Sequence, residues 1–177
     1  MACTALTTGF TLGCNDSIGG VKTIYIGSFD QLTYTISGTP VQLTAGAGTV
    51  YSYTPSKNSA SATFNPTVSV ENGTVFYTHS VSFSLRNITP NKREEIEALA
   101  KARVGLFVEL NNGEIIAFGT TNGLFMTAGT FQTGTLYGDF QGYQLTFTSD
   151  EPTQPYTLED PTLAAAGYTV SATTEVQ

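Results

Sequence analysis

The stretch from Thr74 to Leu85 constrains the fold most, because apart from Phe76 it alternates along its whole length. Val75, Tyr77, His79, Val81, Phe83 and Leu85 fall in one phase; Phe76, Thr78, Ser80, Ser82 and Ser84 fall in the other. Strand side chains point to opposite faces with a period of two, so the pattern predicts a long strand with one apolar and one hydroxyl-rich face. The apolar face needs a second layer to cover it, and the Thr/Ser ladder reads as a solvated or subunit-facing surface. Upstream, Ser61 to Val70 joins this run through Asn72-Gly73, whose glycine supplies the positive φ of a tight hairpin turn. Pro66 cannot donate to a ladder, which predicts an edge position or a bulge for the partner strand.

Thr89 to Arg103 carries the helical signals. Asn91 with Glu94 three residues on fits a capping box, and Thr89-Pro90 offers a second start with Pro in the first turn. Glu94, Glu95 and Glu97 lie towards the positive end of the helix dipole, and Lys101 and Arg103 at the negative end. Ile96, Leu99, Ala100 and the stem of Arg103 form a narrow apolar stripe, as expected of one helix laid on a sheet.

Further strands are predicted at Val21 to Phe29, Leu32 to Ile36, Val50 to Thr54, Leu106 to Leu110, Glu114 to Phe118, Leu124 to Thr127, Thr130 to Leu136 and Gln144 to Thr148. The pair around Asn111-Asn112-Gly113 is a second hairpin. Between 37 and 60 the alternation weakens into Gly, Thr, Ser and Pro, which predicts a loop excursion or protruding hairpin, a feature uncommon in compact domains unless functional. The expected fold class is therefore mainly β. It is a β-sandwich or barrel with one flanking α-helix over about 89–103, the 37–60 excursion and extended termini. Residues 1–20 read as an N-terminal arm, 21–150 as the sandwich domain, and 151–177, with three prolines and acidic residues, as a C-terminal arm.

Composition narrows the function. Charged residues make up 12% of the 177, against about 25% in an average soluble domain, and Thr, Ser and Gly take their place. Such a weakly charged polar surface suits extensive contact with other subunits. The net charge is −7, and after Arg103 there is no Lys, Arg or His against eight acidic residues from Glu109 to Glu175. No basic stripe interleaved with aromatics exists to clamp nucleic acid. Cys3 and Cys14 could pair by spacing, although reduced thiols fit a chain of this length better. The N-terminus lacks the basic and apolar regions of a secretory signal, which leaves cytosolic synthesis as the expectation. No apolar run approaches the roughly 18 residues of a membrane helix.

No catalytic, cofactor-binding or metal-ligating constellation emerges. His79 is the sole histidine and sits in the apolar phase of its strand, where a satisfied core histidine is expected. No Gly-x-Ser-x-Gly turn follows a strand. Cys3, Cys14 and His79 lack zinc-site spacing. Asp150-Glu151 and Glu159-Asp160 lack the spaced oxygen ligands of a calcium loop and read as solvated acidic turns. Gly123, Gly129, Gly134, Gly138 and Gly142 open no helix, so they form no phosphate loop. A non-enzyme is expected.

The region Arg103 to Glu151 carries a family resemblance. VGLFVELNN, then GEIIAFGTTNGLFMTAGT, then TGTLYGDFQGYQLTFTSDEP resembles the C-terminal half of bacteriophage tail tube proteins. Gly19-Gly20-Val21-Lys22 leading into Ile24-Tyr25-Ile26 is similar to structural proteins of phages infecting Bacteroides-type bacteria. The resemblance implies a virion protein assembled in the host cytoplasm as a homo-hexameric ring. It further implies that rings stack into a tube, contact other tail or neck proteins, and pass DNA without sequence-specific binding and without membrane contact. An acidic lumen would oppose phosphate contacts. A neck or hub ring and the inner tube of a contractile injection system fit the same resemblance. A carbohydrate-binding, adhesin-like sandwich is a separate alternative, supported by nine tyrosines and polar strand faces but lacking Trp.

Overall fold

The computed structural model describes Gly9 and residues 18–171. Most of the expected N-terminal arm, with Cys3 and Cys14, and the last six residues lie outside the described residues. In chain order the elements are β1 (Val21–Ser28), β2 (Thr33–Ser37), β3 (Gln42–Tyr53), β4 (Ala60–Ser69), β5 (Thr74–Arg86), α1 (Pro90–Lys101), β6 (Val104–Leu110), β7 (Ile115–Phe118), β8 (Phe125–Gln132), β9 (Gly142–Glu151), β10 (Tyr156–Thr157) and β11 (Tyr168–Ser171). The fold is mainly β, with two sheets and one α-helix among the described residues.

The larger sheet has seven strands in the order β10-β7-β6-β1-β3-β11, with β2 also paired to β3. The smaller has four, β4-β5-β9-β8, all antiparallel. The sheets face each other across a core that includes Ile24, Ile26, Leu106 and Val108 from the large sheet and Val81, Phe83, Leu145 and Phe147 from the small one. Phe83 and Phe147 stack with ring centroids 6.0 Å apart. The alternation of the β5 sequence thus becomes one face of a sandwich.

The large sheet has a second core on its far side, where it curls into a half-barrel. Phe107, Leu43, Val50, Ile115, Leu158, Leu163, Ala166 and Tyr168 are buried there. Burial on both faces explains why β6 reads as a near-continuous apolar run rather than an alternating one. Tyr168 packs 4.9 Å from Phe107 and donates its hydroxyl to the Thr33 carbonyl at 2.7 Å. A Cβ at Gly46 would overlap that hydroxyl, and one at Gly105 would overlap the Tyr34 hydroxyl.

The structure revises several expectations. The 37–60 excursion is largely β3, which extends the strand expected at Val50 to Thr54 back to Gln42 and pairs with β2 at one end and with β1 and β11 further on. Its Gly46 and Gly48 weaken the apolar alternation because the Tyr168 and Leu32 side chains fill the space over them. The C-terminal arm, over its described part, belongs to the domain: β10 pairs with β7, β11 runs parallel to β3, and the residues between them cover the second core. Leu124 to Thr127 and Thr130 to Leu136 merge into the single strand β8, with a register shift between Met126 and Ala128 absorbing the break in phase. Pro66 sits in β4, which ends the small sheet.

Of the two possible helix starts, Thr89 is the N-cap and accepts from the Lys92 N–H at 3.3 Å, with Pro90 in the first turn. Leu99 is the buried residue of α1, Ile96 is half-buried and Ala100 is exposed, so the stripe is narrower than expected. The guanidinium of Arg103 lies over the Phe29 ring, 3.8 Å from its centroid.

Candidate functional site

Two features of the small sheet stand out: its outward face, with the two strand edges that bound it, and a buried polar knot at one end.

On the outward face the register sets side chains in rows. Ser61, Ser82, Thr146 and Ala128 form one row; Thr63, Ser80, Thr148 and Phe125 form the next; Asn65, Thr78 and Asp150 form a third. The Ser61 and Ser82 hydroxyls lie 2.9 Å apart, and Thr78 donates to Asp150 at 2.7 Å. A shallow open groove of about 480 Å³ runs along Ser61, Ser82, Ser84, Gln144 and Thr146. Asp150 and Arg86 fall in the outward phase near opposite ends of β5, so this face is close to neutral in a chain of net charge −7.

The edges follow from the topology. Among the described residues no strand pairs with the outer side of β4 or of β8. Each sheet neighbour is antiparallel to the next, so the two edge strands of the four run in opposite directions. Apolar side chains are exposed at both ends of this sheet: Val68, Val70 and Val75 around the β4–β5 turn, and Phe131, Leu136 and Tyr137 around the β8–β9 loop. That loop is shaped by Asp139, whose carboxylate accepts the N–H groups of Leu136 and Thr135, each at 2.8 Å. These bonds hold its carboxyl below the usual range.

The polar knot joins β5 and β9 to the chain crossing from β7 to β8. Glu151 is 1% exposed and accepts the Asn122 N–H at 2.9 Å, the Thr121 N–H at 3.1 Å and the Ser149 hydroxyl at 3.1 Å. His79, also 1% exposed, accepts the Gly119 N–H at Nδ1 (3.5 Å) and lies 3.1 Å through Nε2 from the Thr153 carbonyl. These partners assign a neutral imidazole protonated at Nε2. Burial pushes its pKa down from 6.5, partly opposed by the Glu151 charge and the bond to Thr153.

Serine, histidine and carboxylate thus come together in space, but not as a nucleophilic triad. The Ser149 hydroxyl donates to Glu151 rather than to His79, and all three residues are buried. The arrangement satisfies loop N–H groups. His79 is placed as its strand phase predicts. Glu151 is not the solvated acid expected of it: on β9 it shares a phase with Tyr143, Leu145, Phe147 and Ser149, and that phase was the signal that could have located it. Asp150 points to the other face of the sheet, so the adjacent pair forms no joint cation site.

Other polar contacts tie the large sheet. Glu109 accepts from Lys22 and from the Tyr25 hydroxyl at 2.8 Å. Burial works against its ionisation, yet these donors hold its carboxyl below the usual range, while burial and Glu109 push the Tyr25 hydroxyl up to about 12. Among the described residues there is no group of three or more His, Cys, Asp or Glu positioned to hold a metal, and no helix long and apolar enough to cross a membrane. No protein family, curated protein or solved structure matches the chain.

Proposed function

We propose that this protein is a structural subunit that closes into rings with copies of itself. The specific reading is a phage tail tube subunit in hexameric rings that stack into a channel for the genome. Its partners are then other copies, adjoining tail or neck proteins and, transiently, DNA, and its location is the virion tail after assembly in the host cytoplasm. The supporting observation is the small sheet, whose edge strands β4 and β8 have no partner strand on their outer sides among the described residues and run in opposite directions. Pairing β8 of one copy with β4 of the next continues the antiparallel alternation, and a head-to-tail contact of this kind closes into a ring.

Six such sheets of four strands would make a barrel wider than the 16–18-stranded ones that already hold aqueous channels. The hydroxyl face is a candidate lining. It offers a polyanion few charges to bind, through near-neutrality rather than through the acidic surface the resemblance implies. The low overall charge and the apolar side chains at both ends of the sheet fit the same reading.

The test is negative-stain electron microscopy of the purified protein over a concentration series. Rings or tubes with sixfold averages are expected. Monomers at every concentration would overturn the reading, and a glycan array would then examine the hydroxyl groove as a sugar site.

A further inference from the structure

The polar knot lies where the chain passes between the sheets twice. One passage, from β7 to β8, runs through Gly119, Thr121 and Asn122; the other, from β9 to β10, runs through Thr153. Glu151 and His79 hold the first passage by three N–H groups, and His79 holds the second through the Thr153 carbonyl. The Asn122 side chain adds a bond to the Asp150 carbonyl at 2.6 Å. Just beyond these anchors Tyr156 pairs with Ala117 and Thr157 with Ile116, and the Leu158 N–H donates to the Ile115 carbonyl at 2.8 Å. The segment that covers the second core therefore starts directly from the knot.

This wiring requires a neutral His79. A second proton would place an N–H on Nδ1 against the Gly119 N–H, donor facing donor. The imidazolium could instead draw the Glu151 carboxylate towards itself, away from Thr121 and Asn122. Either response unties the β7–β8 passage. The other neighbours of the ring offer no counter-charge: Phe64 is opposite on β4, Ser149 opposite on β9, Phe118 meets it edge-on at 5.6 Å, and the 119–122 and 152–155 segments carry no ionisable side chain. Asp150 faces the other side of the sheet. Tyr34, within reach of the Glu151 charge, is held neutral because burial pushes its pKa up.

We propose that His79 and Glu151 form a proton-operated latch: protonation of His79 releases the 119–122 turn and the 152–155 connection together, and so loosens the 156–171 cover from the large sheet. The latch is independent of ring assembly, since every group in it belongs to one chain. Acidification would expose the second core around Phe107 and Leu158 while the core between the sheets stays packed.

Backbone hydrogen exchange of the full chain tests this at pH values of about 7.5 and 5, after correction for the intrinsic pH dependence of exchange. Protection at 119–122 and at 156–158 is expected to fall together by about tenfold or more, with the β5 and β9 centres unchanged. His79→Gln, which keeps a donor towards Thr153 and does not titrate, should remove the pH dependence. Unchanged protection in the wild type, loosening of only one of the two segments, or the same loosening in the variant would overturn the latch. Should the variant fail to fold, the wild type decides alone: the proton NMR titration midpoint of His79 must coincide with the exchange transition, and midpoints more than about one pH unit apart overturn the proposal.

Discussion

The two sheets solve opposite problems with similar strands. The large one is buried on both faces, with β6 sandwiched between the inter-sheet core and the half-barrel core. The small one buries a single face, leaves the other covered in hydroxyls, and ends in strands whose outer sides no described strand pairs. Exposed edges invite pairing with another chain, and natural proteins usually protect them. In β4 the protection includes Pro66 and in β8 a bulge and the neighbouring helix α1, while both ends of the sheet expose apolar side chains. Stability is therefore expected to depend on the large sheet, and association on the small one.

Substitutions put that contrast to the test. The largest effect is expected from Phe107→Ala, which empties the centre of the half-barrel beside Tyr34 and Tyr168. It should cost about 3–5 kcal/mol in urea unfolding; a loss below about 1 kcal/mol would mean that the second core contributes little. Next is Glu151→Leu, which leaves the Thr121 and Asn122 N–H groups without their acceptor. A loss of about 2 kcal/mol or more is expected on the same measurement, with Glu151→Gln losing less because one oxygen remains.

A smaller effect is a pH dependence of global stability. The folded-state pKa of His79 lies below its ordinary 6.5, so the unfolded chain binds the proton more readily. Its contribution to stability is full above about pH 6.5, is lost as pH falls towards the lower folded-state value, and changes no further below it. Urea midpoints across this window check the sign, with His79→Gln as the flat control. The smallest effect is expected on the hydroxyl face. Ser80→Ala combined with Thr148→Ala should shift stability by within about 0.5 kcal/mol, and a clear loss would show that the face stabilises the subunit itself.

Legibility followed the range of the signal. The β4–β5 hairpin was readable because alternation, Asn72-Gly73 and Pro66 all lie within it, and Gly73 does adopt a positive φ of 61°. The helix was readable from Thr89-Pro90 and Leu99, although the rival cap at Asn91 carried an equally regular signal. Of β3 only the end was readable, at Val50 to Thr54; its first half was not, because Gly46 makes sense only under the Tyr168 hydroxyl, from a residue far downstream that arrives with the last described strand. Glu151 lay between these cases: its phase was visible, but its acidic neighbour Asp150 and Pro152 suggested a solvated turn.

The β class, the helix α1 and the two faces of β5 were set by the sequence alone, because each depends on periodicity or capping between residues a few positions apart. Tertiary structure decided that the large sheet would curl and bury both faces, that the C-terminal segment would serve as its cover, and that β4 and β8 would be left as edges. It also decided that Glu151 would be buried as the acceptor for a crossing loop. These outcomes depend on pairings between distant residues, such as Tyr168 with Thr33 or Glu151 with Asn122, which local pattern does not encode.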